Sequence, residues 1–267
     1  MDNALKSNWA LILSFLFIMA NSALIALEQY WFSLVPFALV LVILAFVAMD
    51  KLMWVIVFTT PLSLNLEELD FGGIGMFVPT EPLLFGILLI FLLKLLYERH
   101  FDEKVIKHSM SKAIYFHLAW IGITVVSSTM PLISIKFLLA RLWFIVAFYF
   151  IATQLFTNLK NIRTFFWMYL IPLSLVAVYT FVHHYQYGFA ERPAHWVMQP
   201  FFKDHTVYGA ILAMMFPILL FLFTAKRYAK YRLITAIMAL ILALGIIFSY
   251  GRAAWISLIA AFAVSLI

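Results

Sequence analysis

Long apolar runs separated by short polar breaks make up almost the whole chain. A helix that crosses the hydrocarbon layer needs about 20 such residues. Runs at 8–27, 31–49, 52–66, 82–97, 113–127, 133–156, 164–183, 207–224 and 233–248 predict nine helices, and a tenth starts near 253. The pattern predicts an all-α, polytopic transmembrane helix bundle of about ten spans. The short run at 52–66 leads into LNLEELDFGGIGMFVPTEP. Its carboxylates and glycines suit an interfacial or re-entrant segment, because glycine-rich backbone is tolerated at membrane depth only where it is buried or wet. The last run has about 15 residues, roughly 22 Å of helix against a hydrocarbon thickness of roughly 30 Å. Residues 1–267 therefore read as a single transmembrane domain truncated within its last helix. No soluble domain, heptad array or internal repeat interrupts the pattern.

Composition agrees: 66% of the 267 residues are hydrophobic and 11% are charged. Soluble domains sit near half apolar and a quarter charged. With no cysteine, disulfides and thiolate metal sites are excluded. The formal charge of +6 comes from bases clustered in the short breaks, the form of a topology signal and not of a nucleic-acid patch. Lys6 ahead of an apolar run imitates a signal peptide, but similar runs follow one after another, so an uncleaved first helix is expected. With the N-terminus inside, most lysines and arginines fall on the cytoplasmic face. Lys136, Arg141, Arg192, Lys203 and Arg252 are left outside. The reverse orientation inverts the bias, so the N-terminus is expected in the cytoplasm.

Those five bases run against the sorting rule, and each calls for a reason. Two polar breaks hold three of them. GFAERPAHWVMQPFFKDHTVYG, residues 188–209, carries Arg192, Lys203, His195 and His205, and 184–207 is expected as an outer loop. SYGRAAW, residues 249–255, carries Arg252 among small and apolar neighbours. The two breaks are expected to face one side and to share an anion-binding site. Arg252 offers planar, permanently charged donors suited to phosphate; an interfacial anchor beside Trp255 is the plainer alternative. Arg192 and Lys203 have local acids, Glu191 and Asp204, with which a solvated loop would pair them at little gain. Lys136 and Arg141 sit one and a half turns apart in run 133–156. There they either form a basic wall for an anionic lipid headgroup, or Lys136 snorkels and Arg141 pairs with Glu67, Glu68, Asp70 or Glu81. His183 and His184 need no role beyond an interface position. His205, in FKDHT, has carboxylate and hydroxyl neighbours that could orient its imidazole or cap the next helix. The histidine spacings match no compact zinc motif, so no metal or cofactor is expected. GGIG at 72–75 lacks the strand and helix of a nucleotide fingerprint.

PFFKDHTVYGAILAMMFPILL, followed about 30 residues later by FSYGRAAWISLIAAFAVSL, resembles the bacterial O-antigen ligase/polymerase family. That family has a polar outer loop, a helix with small residues, a basic inner loop, and a turn of the form Ser-x-Gly/Ser-Arg-Gly/Ala-Ala-Trp. The specific match covers roughly residues 192–267. The resemblance implies a GT-C-like, metal-independent glycosyltransferase of the bacterial cytoplasmic (inner) membrane. Its donor would be a glycan on undecaprenyl pyrophosphate. Its acceptor would be lipid A–core in a ligase, or another lipid-linked repeat in a polymerase, and nothing in the chain separates the two. It implies that Arg252 grips the pyrophosphate, with Arg192 matched by position only. It assigns acceptor activation to a histidine in a later outer loop, expected beyond Ile267, and not to His195 or His205. A transporter or lipid flippase is the reading from another class. It would line a path with charge, whereas the outside bases here gather at one face.

Overall fold

The computed structural model describes residues 2–29, 32–33, 35–36, 39, 49–69, 76–98 and 102–265. Predicted run 31–49 lies largely outside the described residues, as do Asp70, glycines 72–75 and Ile267. The side chain of Glu68 lies outside them too. The chain forms two compact units, Met1–Met49 and Asp50–Ile267.

In the first unit, helix α1 runs over Asp2–Ala26. It stops where Glu28 enters the left-handed region at φ 61°, and Gln29 N then donates to the Leu24 carbonyl at 2.8 Å. The chain doubles back on the helix: Ser33 Oγ donates to Asn21 Oδ1 at 2.9 Å, and Phe32 stacks on Phe17 with ring centres 5.2 Å apart.

The second unit opens with α2, Met49–Thr59, all of which but Met49 belongs to it, followed by a 3₁₀ turn at Thr60–Leu62. Pro61 cannot donate to the α-helical ladder, so the helix tightens and stops there. Strand β1, Leu64–Asn65, then pairs antiparallel with β2, Phe77–Val78. A buried hydrogen bond between the Ser63 and Thr80 hydroxyls pins the base of this ribbon. The expected interfacial segment is thus a short ribbon at its two ends. Six further long elements follow: α3, Thr80–Glu98; α4, Ser109–Val126; α5, Pro131–Leu155; α6, Leu159–Tyr185; α7, His205–Thr224; and α8, Arg232–Phe248. The chain then enters α9, Arg252–Ser265.

Polar breaks set these helix starts. Asn158 Oδ1 accepts from Lys160 N at 3.1 Å and Asp204 Oδ1 from Val207 N at 2.9 Å, each satisfying an orphan first-turn donor. Pro131 opens α5, where its missing N–H costs nothing. Among the described residues six helices, α3 to α7 and α8 with its leading turn, are long and apolar enough to cross a membrane. This is a multi-pass membrane protein with an all-α bundle. The described spans fall short of about ten: the apolar stretch of α1 covers only Ser14–Ala26, α2 has 11 residues, α9 has 14, and run 31–49 lies largely outside the described residues.

α6, α7 and α8 share one core. Tyr208, Leu212, Met215, Leu219 and Leu222 recur along α7 at helical spacing, and Met238, Ala239, Leu242 and Ile246 do so along α8. Their partners on α6 include Leu170, Leu173 and Val176. α7 and α8 run antiparallel. Gly245, late in α8, lies against Tyr208 and Leu212 early in α7. At the opposite end Arg232 Nε donates to the Phe223 carbonyl at 3.3 Å. That opposite end also holds Lys226, Arg227 and Lys230, and Tyr231 packs there on Trp167 of α6.

α3 and α4 each pack on α5. α5 is not uniform. Its first stretch, Pro131–Ile145, has no buried residue. Val146–Ile151 is π-helical, and Val146, Ala147, Phe150 and Ile151 are buried.

Candidate functional site

The two polar breaks meet at one end of α6, α7, α8 and α9. Residues 186–204, between α6 and α7, are not a solvated loop throughout. Ala194, Val197, Met198 and Phe202 are buried, and the last three belong to the α6–α8 core. The end of α6 fastens this segment. His184 is 1% exposed, with Nε2 2.8 Å from the Ala190 carbonyl. His183 Nδ1 lies 3.0 Å from the Val197 carbonyl, and Tyr179 OH donates to the Gln199 carbonyl at 3.0 Å. Both histidines hold loop carbonyls, and the one met by His183 belongs to the buried Val197. The ribbon joins from the other side: Asn65 N donates to the Pro200 carbonyl at 3.0 Å.

The second break is tied to the first. Tyr250 OH donates to the Phe189 carbonyl at 2.9 Å. Both residues hold positive φ, 51° and 56°, an unfavourable setting for bulky side chains that neighbouring contacts must maintain. Phe189 stacks on Phe248 at 4.5 Å and packs edge-on against His184 at 5.4 Å.

SYGRAAW has a structural logic. A helix ends with carbonyls that lack partners. At the end of α8 the Ile246 carbonyl receives Ser249 Oγ at 2.8 Å and Trp255 Nε1 at 2.8 Å. Gly251 N donates back to Ser249 Oγ at 3.3 Å. Ala254 is buried and faces Gly209 of α7, where an added Cβ would lie 3.2 Å away. Ser249, Gly251, Ala254 and Trp255 are therefore engaged in shaping the turn. Arg252, the first residue of α9, is exposed and has no ion pair or hydrogen bond among the described residues. A cation at a helix N-terminus opposes the helix dipole, and the free first-turn N–H groups beside it also favour an anion.

Arg192 is exposed just before the 3₁₀ turn Pro193–His195 and forms no ion pair with Glu191 or any other described acid. His195 and His205 meet: their Nδ1 atoms are 3.0 Å apart and the rings pack edge-to-face at 4.1 Å. Only one proton can lie between two such nitrogens, so one ring donates and the other accepts. His205 opens α7, and its carboxylate neighbour Asp204 caps the helix. The Asp204 carboxyl is held below its ordinary value, first by the Thr206 hydroxyl that donates to it and then by backbone N–H groups. Lys203 turns away from Asp204 toward Glu67 at 3.9 Å, an exposed and weak pair.

Lys136 and Arg141 lie elsewhere, on the exposed half of α5. The guanidinium of Arg141 sits over the Phe137 ring, 5.2 Å from its centre. Glu81 interacts with Lys136, and Arg141 has no carboxylate partner among the described residues. The packing thus ties Arg192, His195, His205 and Arg252 to one assembly of breaks, while Lys136 and Arg141 belong to the α3–α5 group. Among the described residues no three of His, Asp and Glu converge as metal ligands. Sequence reasoning missed the fastening roles of His183, His184 and Tyr250. The available signal was their position beside a chain reversal rich in carbonyls. No family model, curated protein or solved structure matches this chain.

Proposed function

We propose that this protein is a membrane glycosyltransferase that moves a glycan from undecaprenyl pyrophosphate to an acceptor sugar hydroxyl, as O-antigen ligases do. The reading includes a GT-C-like bundle of about ten spans in the bacterial cytoplasmic membrane, with the N-terminus inside. One observation carries it. In the turn 249–255 the polar side chains of Ser249 and Trp255 donate to the Ile246 carbonyl and Tyr250 OH to the Phe189 carbonyl, while Arg252 is exposed and has no hydrogen bond or ion pair among the described residues.

In this reading the acceptor oxygen attacks the anomeric carbon, and the bond from that carbon to the pyrophosphate oxygen breaks. Charge builds on the departing pyrophosphate. Arg252 neutralises it together with the first amides of α9, which takes the place of a metal ion. Arg192 adds a second cation from the neighbouring break. Lys136 and Arg141 form a basic wall toward an anionic lipid headgroup. His205 stays at the edge of the anion site, paired with His195. The acceptor's proton goes to a general base, which the family resemblance assigns to neither of these histidines. A repeat-unit polymerase uses the same chemistry with a lipid-linked acceptor.

The test is Arg252→Ala in cells whose surface glycan depends on this protein, with the amount of protein in the membrane fraction measured alongside. Glycan transfer is expected to be lost while the protein remains at normal levels. Normal surface glycan in that variant refutes the pyrophosphate role. A reporter fused after Lys203 should read as outside, and an inside signal overturns the orientation.

A further inference from the structure

A recess of about 540 Å³ opens between the end of α4 and the start of α5. Its walls combine Thr124, Ser127, Ser128, Thr129 and Ser134 with the apolar Ile121, Val125, Ile133 and Phe137. Thr124, Ser127 and Thr129 are exposed at this mouth, and the hydrogen bonding of the hydroxyls shows which of their protons are already spent. Thr124 Oγ1 spends its proton on the Ile121 carbonyl at 2.7 Å. Ser127 Oγ spends its own on the Ile123 and Thr124 carbonyls at 3.4 and 3.3 Å. Ser128 and Ser134 share one hydrogen bond at 2.6 Å, and Ser128 Oγ also accepts from Met130 N at 3.1 Å. Thr129 has no partner among the described residues. The recess therefore offers more acceptor lone pairs than free donors, the latter being the Thr129 hydroxyl and one proton of the Ser128–Ser134 pair. Its natural complement is a group that brings several O–H donors.

The cations lie beside it. Phe137 is a wall of the recess and carries Arg141 over its ring at 5.2 Å. Ser134, Phe137 and Arg141 follow at helical spacing on one face of α5. Lys136 is next to Phe137 in the chain. Around the mouth Val126, Leu132, Ile133 and Phe137 are exposed and apolar, a surface that suits acyl chains.

We propose that this recess binds a lipid whose headgroup is a phosphorylated polyol of the glycerol-phosphate class. The headgroup hydroxyls donate to Thr124, Ser127 and the Ser128–Ser134 pair, Arg141 and Lys136 take the phosphate, and the acyl chains lie along Val126 and Leu132. Its test reads lipid binding and not glycan transfer, so it stands or falls apart from the transferase reading.

The full chain in neutral detergent is titrated separately with phosphatidylglycerol, phosphatidic acid and glycerol 3-phosphate, and bound adducts are read by native mass spectrometry. Phosphatidylglycerol should bind about tenfold more tightly than phosphatidic acid, which has the charge without the hydroxyls. Free glycerol 3-phosphate should bind weakly and fail to displace the lipid. Arg141→Gln, an exposed change, should weaken both lipids about tenfold. Ser128→Ala with Ser134→Ala should abolish the preference for phosphatidylglycerol while leaving phosphatidic acid unchanged, an outcome that misfolding cannot imitate. Equal binding of the two lipids by the wild type overturns the polyol assignment. Displacement of the lipid by glycerol 3-phosphate overturns the lipid source. Unchanged binding in Arg141→Gln removes the recess as the site.

Discussion

At Gly209 α7 packs closely against Ala254 of α9 and the turn before it, and adding one methyl group there tests the contact that positions Arg252. A Cβ on Gly209 would lie 2.9 Å from Ser249 Oγ and 3.2 Å from Ala254 Cβ. Neither neighbour can retreat freely. Ser249 is 1% exposed, and its hydroxyl is held by the Ile246 carbonyl and by Gly251 N. Turning it away forfeits a bond worth about 1 kcal/mol. Overpacking of this kind costs about 1–3 kcal/mol, while Gly→Ala inside a helix returns up to about 1 kcal/mol from backbone propensity. Gly86 of α3 and Gly122 of α4 provide the reference, because an added Cβ meets nothing within 4 Å at either position. Gly86→Ala and Gly122→Ala should raise the melting temperature slightly. Gly209→Ala should melt below Gly86→Ala by the steric term alone, about 1–3 kcal/mol, or several degrees at roughly 2–4 °C per kcal/mol for a chain of this size. Scanning fluorimetry in detergent, using the tryptophans, reads the difference. Small residues admit close helix approach in membranes, so a Gly209→Ala protein that melts with or above Gly86→Ala would refute the tight α7–α9 contact and the fixed placement of Arg252.

Two further outcomes follow from the site. Tyr250→Phe removes the hydrogen bond to the Phe189 carbonyl and should cost about 1 kcal/mol. It should also speed proteolysis within residues 186–204, and unchanged stability and cleavage would disconnect the two breaks. Asp204→Ala should cost about 1 kcal/mol at neutral pH by uncapping α7. The Asp204 carboxyl is held low in the folded protein, chiefly by Thr206. Its contribution is therefore complete above the unfolded value of about 4 and fades as pH falls through the lower folded value. The gap in melting temperature between wild type and Asp204→Ala should close in that acid range and stay constant above it.

Helix positions were readable because the polar breaks contain the chemistry that starts helices. Asn158, Asp204 and Pro131 stand where the runs begin, and the predicted edges of α6, α7 and α8 lie within a few residues of those observed. The meeting of 188–209 with 249–255 was also readable, as two breaks falling on one side. Three features were not. The paired strands are two residues long, too short for alternation to register. The π segment of α5 has no compositional signature, since it differs from its flanks only in hydrogen-bond spacing. Val197, Met198 and Phe202 sit among charged residues, and only the tertiary fold shows that they join the core while Arg192 does not. For Arg141, charge suggested either a carboxylate partner or a basic wall; its guanidinium lies over the ring of Phe137, one turn away, a contact that charge could not announce.

The π segment at Val146–Ile151 also works as a clock. Its turns hold one residue more than an α-helix allows, so everything before it is wound about 100° out of step with everything after it. Deleting one residue there would let the ladder close as ordinary helix. The buried end of α5, from Ala152, would keep its place, while Ser134, Phe137 and Arg141 would swing together to a new compass bearing. A single extra residue in an apolar stretch with no ionisable side chain but Tyr149 thus sets the direction in which a distant cation points.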